Sequence, residues 1–68
     1  MNIKQKSTVW TAAMNALRAD TAFGQQILLA TEVAKALELR VAFGDGLIEL
    51  RRRGGVYPGA VICSVKAN

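Results

Sequence analysis

Arg40-Val41-Ala42-Phe43-Gly44-Asp45-Gly46-Leu47-Ile48-Glu49-Leu50-Arg51-Arg52-Arg53 decides the fold, because it fits two structural periods at once. At 3.6 residues per turn, Phe43, Gly46, Leu47 and Leu50 fall at i, i+3, i+4 and i+7. They form the apolar stripe of a helix that Gly54-Gly55 would end. At a period of two, Leu39, Val41 and Phe43 alternate with Arg40 and Ala42, and Asp45-Gly46 follows as a hairpin turn. Glycines inside a helix cost about 1 kcal/mol each against alanine, which counts against the first option. Against strands, Leu47 to Arg53 lacks a clean alternation and ends in arginines that a helix tolerates well. The balance favours a third helix over 41–53, with a hairpin as the alternative.

Working outward, Trp10, Ala13, Met14 and Leu17 again share one helical stripe, with Ser7 as the expected N-cap and residues 1–6 as a flexible tail. Asp20-Thr21 and Phe23-Gly24 mark an exit and a loop. Ile27-Leu28-Leu29 has the length of a short buried strand. Thr31 to Leu39 forms a second helix, with Val33, Ala36 and Leu37 inward and Glu32, Lys35 and Glu38 outward. Beyond the paired glycines, Val56-Tyr57 and Ala60 to Lys66 are the two strands of an expected hairpin, joined by a loop that holds the Pro58-Gly59 turn. From Ala60 to Lys66, Val61, Cys63 and Val65 alternate with Ile62, Ser64 and Lys66 as a strand does.

Sixty-eight residues allow one domain at most, expected over 7–68. Hydrophobic residues at 51% and charged ones at 21% describe a folding chain. Apolar runs such as Ile27–Ala30 fall far short of the roughly 18 residues of a membrane span. The polar residues behind Lys4 and Lys6 do not make a secretory signal. A lone Cys63 forms no internal disulfide, so a reducing cytoplasm is the expected location. Without histidine, and with no base beside Ser7 or Ser64, nothing supports an enzyme. No cofactor is expected.

The net charge of +4 is unevenly placed. Residues 1–49 hold Lys4, Lys6, Arg18, Lys35 and Arg40 against Asp20, Glu32, Glu38, Asp45 and Glu49, and sum to zero. The excess is Arg51, Arg52, Arg53 and Lys66, in a C-terminal third without an acid. An anionic partner at that end is one explanation, and a solvated basic face is the other.

The order helix, short strand, helix, helix, β-hairpin resembles the winged helix-turn-helix family over about residues 8–66, an α+β fold. Thr31-Glu32-Val33-Ala34-Lys35-Ala36-Leu37 is similar to that family's second helix. Leu47-Ile48-Glu49-Leu50-Arg51-Arg52-Arg53-Gly54-Gly55-Val56 is similar to the end of its third helix. The alternative fold is two helices plus an antiparallel β-meander. The resemblance implies a small DNA-binding protein, a transcriptional regulator with the third helix in the major groove and the wing on the backbone, and the small size of the chain suggests the phage or plasmid type. Carried over by position, Arg40, Val41, Ala42, Gly44 and Asp45 would face the groove. Of these, only Arg40 is a good base reader, and Asp45 would repel phosphate unless it accepts from a cytosine amino group. Arg51, Arg52, Arg53 and Lys66 would contact phosphates.

On such a third helix Ile48 falls outside the apolar stripe and is exposed, as a subunit or partner contact. A core this small, without a disulfide, further suggests a homodimer, through helix 1 or Ile48. The competing function is a protein-interaction module built on the same fold. Trp10, within a helical stripe, belongs to the core rather than to a base-stacking platform, and Gly44-Asp45-Gly46 lacks the residues of a phosphate loop.

Overall fold

A computed structural model describes residues 1–16 and 22–68, which fold as two helices followed by a three-stranded antiparallel sheet. The helices are α1 (Ile3–Ala16) and α2 (Phe23–Ala36), and the strands are β1 (Arg40–Gly44), β2 (Leu47–Arg51) and β3 (Val61–Lys66). The sheet order is β1-β2-β3, a simple meander, in which β3 pairs with β2 and Val56-Tyr57 lies in the loop rather than forming the first strand of a C-terminal hairpin wing. The chain is thus α+β, with the two-helix and meander architecture rather than the three helices of a winged helix.

The segment 41–53 is a hairpin, not a helix. Asp45 at φ 54° and Gly46 at φ 74° both occupy the left-handed region, as a two-residue type I′ turn demands. Strand alternation, obscured in the sequence by Leu47, is clear in the fold. Ile48 and Leu50 are fully buried, while Leu47, Glu49 and Arg51 lie on the other face. Gly44, in contrast, has no positive φ, and a Cβ there would meet nothing within 4 Å.

Other boundaries also move. α1 starts at Ile3, so residues 1–6 are not a tail and Ser7 is not the cap. Asn2 and Gln5 cap each other instead, Gln5 N–H donating to Asn2 Oδ1 at 2.8 Å and Asn2 N–H to Gln5 Oε1 at 2.9 Å. Leu17 and Asp20-Thr21 lie outside the described residues. Phe23-Gly24 opens α2 rather than a loop, and Ile27-Leu28-Leu29 belongs to that helix. The buried positions of α2 are Gln26, Ala30 and Ala34, an i, i+4, i+8 stripe of small and polar residues that leaves Leu28 exposed.

That small stripe lets the helices approach closely. Trp10 and Met14 of α1 are buried against it, and the Trp10 indole N–H donates to the Ala30 carbonyl at 3.2 Å. The core joins these residues to Leu39, Ile48 and Leu50. α2 stops in a Schellman turn: Glu38 N–H donates to the Lys35 carbonyl at 3.1 Å and Leu39 N–H to the Ala34 carbonyl at 2.7 Å. Glu38 holds the left-handed position, φ 61°, that glycine usually fills.

Directly paired residues share a face of the sheet. The rows Val41–Leu50–Cys63 and Phe43–Ile48–Val65 therefore look toward the helices. The rows Arg40–Arg51–Val61, Ala42–Glu49–Ser64 and Gly44–Leu47–Lys66 look away. A register shift beside Leu50/Arg51 leaves Ile62 as the extra residue of a bulge. Among the described residues, no helix is long and apolar enough to cross a membrane.

Candidate nucleic-acid interface

With 41–53 folded as a hairpin, the proposed groove-facing residues do not line one helix. Arg40 opens β1 and Gly44 closes it, about 14 Å apart at strand rise, with Asp45 in the turn beyond. Ala42 lies between them on the open face, opposite Glu49. Lys66 sits opposite Leu47, at the turn end of the sheet and away from Arg40. Ile48 is fully buried in the centre of the sheet, so it offers no subunit contact; its side chain holds the core together.

The arginines divide by role. Arg51 is committed internally: its guanidinium meets Glu49 Oε1 at 3.0 Å and donates to the Gly59 carbonyl. It fixes the loop 52–60 to the open face. A Cβ on Gly59, at φ 90°, would sit 2.1 Å from the Arg52 carbonyl oxygen, so that crossing admits only glycine. The Arg52 N–H returns to the Ala60 carbonyl at 2.9 Å and keeps the loop closed. Arg52 and Arg53 are exposed.

The fold adds partners that charge counting along the chain did not find. The Arg40 guanidinium lies over the Tyr57 ring, 4.8 Å from its centroid, and Tyr57 is itself exposed. On the helix side of β1, Thr31, Lys35, Leu39, Arg40, Val41, Phe43 and Arg53 line a hollow of about 290 Å³. Lys35, Arg40 and Arg53, from α2, β1 and the loop, thus all border this hollow, and among the described residues no acidic residue lines it. Lys35 was visible in the sequence only as an outward helical residue. Tyr57 was visible only as a residue beside a turn. Tertiary proximity, which no spacing rule expresses, makes them part of the same surface.

The chain matches no protein-family model, no curated protein and no solved structure.

Proposed function

We propose that the protein binds duplex DNA through its phosphate backbone, using Arg40, Arg52 and Arg53 with Lys35 beside them. The observation that carries this reading is that Lys35, Arg40 and Arg53 border one hollow that, among the described residues, no acidic residue lines. Separate cations on three elements gain little from one another, and they repel unless an anion is shared between them. The Tyr57 ring supports the Arg40 guanidinium and limits its freedom, which reduces the entropy lost when it contacts phosphate.

Contacts of this kind give affinity without sequence readout. The regulator expected from the winged-helix resemblance would need a helix in the major groove, and the segment assigned to it is a hairpin. The proposal is therefore a backbone binder rather than a base reader, with Arg51 left in its structural role and Lys66 outside the site.

Fluorescence anisotropy with random-sequence duplex DNA at several salt concentrations tests it. Affinity should fall linearly in log salt, and Arg52→Ala or Arg53→Ala should each reduce the slope by about one for all sequences alike. Lys66→Ala should change it least. No binding at low salt, or a slope unaffected by both arginine variants, would overturn the proposal.

A further inference from the structure

The two edges of the sheet are treated differently. At the β3 edge, the buried amide of Gln26 behaves like a missing strand. Its Nε2 donates to the Lys66 carbonyl at 3.1 Å and its Oε1 accepts from Asn68 N–H at 2.7 Å, the edge-facing groups two residues apart. This cover closes the C-terminal end of the β3 edge; further along, the Ser64 N–H and C=O face outward without it.

The β1 edge has no such cover. A two-residue turn makes Gly44/Leu47 a hydrogen-bonded pair, and alternation makes Ala42/Glu49 and Arg40/Arg51 bonded pairs as well. The β2–β3 side agrees. Ala67 N–H donates to the Gly46 carbonyl and Arg52 N–H to the Ala60 carbonyl, which places Leu47 and Arg51 at non-bonded positions toward β3. The N–H and C=O groups of Val41 and Phe43 therefore point outward from β1, and no described backbone or side chain pairs with them. Phe43, half exposed, stands at the same edge, next to the hollow over Val41.

We propose that this edge pairs antiparallel with β1 of a second copy, about a two-fold axis through Ala42, joining two three-stranded sheets into one of six strands. The outward groups fix the register: Val41 bonds with Phe43 of the second copy, Phe43 with its Val41, and Ala42 faces Ala42 as a non-bonded pair. Each Phe43 then enters the hollow beside the other copy's Val41, the same hollow that Lys35, Arg40 and Arg53 border, so pairing of copies and phosphate contact there exclude one another. The charges favour the same arrangement. Arg40 opens β1, Lys35 and Arg53 border the hollow beside it, and Asp45 lies just past the strand's end, so antiparallel pairing brings each Asp45 toward the other copy's basic end. Arg40 falls opposite Gly44, where open space surrounds the missing Cβ. The two-fold residue is alanine, which permits the close approach of a non-bonded pair.

Two measurements on the full chain test this. Non-bonded antiparallel partners lie about 4.5 Å apart at Cα, within disulfide range, so Ala42→Cys in a Cys63→Ser background should cross-link between chains on mild oxidation. Ser64→Cys, on the opposite strand, should not. Ala42→Lys places a lysine opposite Glu49 within one copy, which suits the fold, but opposite another lysine across the axis. Light scattering should give twice the 7.3 kDa chain mass for the native protein and the single mass for Ala42→Lys, with the circular dichroism spectrum unchanged. A native monomer at high micromolar concentration would overturn the proposal and leave the edge to an extended acidic peptide. Absence of the Ala42→Cys cross-link, or a dimer that survives Ala42→Lys, would overturn it as well.

Discussion

Replacing Gly46 by alanine and by asparagine separates a hairpin from a helix at the segment where the two compete. Gly46 sits at φ 74°, and a Cβ added there meets nothing within 4 Å. The cost of a side chain is therefore backbone strain alone, with no packing term to confuse it. An ordinary L-residue loses about 1–2 kcal/mol in the left-handed region. Asparagine, which tolerates that region and suits type I′ turns, should lose less. For a domain of this size about 1 kcal/mol moves Tm by roughly 4–8 °C, so Gly46→Ala should melt about 4–16 °C below the native protein, with Gly46→Asn between them. Thermal unfolding followed by far-ultraviolet circular dichroism measures this, at one fixed protein concentration because an associating chain has a concentration-dependent Tm. Gly44→Ala is the internal control: without a positive φ or a neighbour to strike, it should be neutral or stabilising by up to about 1 kcal/mol. A helix reverses the first order, since alanine exceeds asparagine in helix propensity. Finding Gly46→Ala more stable than Gly46→Asn would refute the hairpin.

Ile48→Ala removes three carbons from a fully buried site on the central strand and should cost about 2–5 kcal/mol in urea unfolding; a loss under about 0.5 kcal/mol would mean that Ile48 is exposed. Gln26→Ala leaves the Lys66 carbonyl and Asn68 N–H without their amide partner, so stability should fall by about 1–3 kcal/mol and hydrogen exchange at Asn68 should accelerate. Unchanged exchange there would argue against Gln26 as the edge cover. Glu38→Gly relieves a left-handed position at the end of α2, and should stabilise by up to about 1 kcal/mol, read as a higher urea midpoint with an unchanged m-value.

The sequence by itself determined the α+β class, the stripe of Trp10 and Met14 as core, a strand within 60–66 and the net positive charge of the C-terminal third. Each follows from a pattern within a few neighbouring residues, where period and composition act directly. Asp45-Gly46 was legible as a turn as well, yet the run after it also fitted a helix. Local energies left the two close, because glycine penalties weighed against the helix and Leu47 spoiled the strand alternation. Tertiary structure decided between them. β2 became the central strand, with Ile48 and Leu50 buried in one core with Trp10, Met14, Ala30 and Ala34, and burying both at once requires a period of two. The same holds for α2, whose inward stripe is glutamine and alanines. No hydrophobicity pattern marks such a face, and only the approach of Trp10 gives small residues there a value. The candidate site divides in the same way. Arg40, Arg52 and Arg53 stood out in the sequence, but Lys35 and Tyr57 joined them only when the end of α2, the start of β1 and the loop 52–60 met in space.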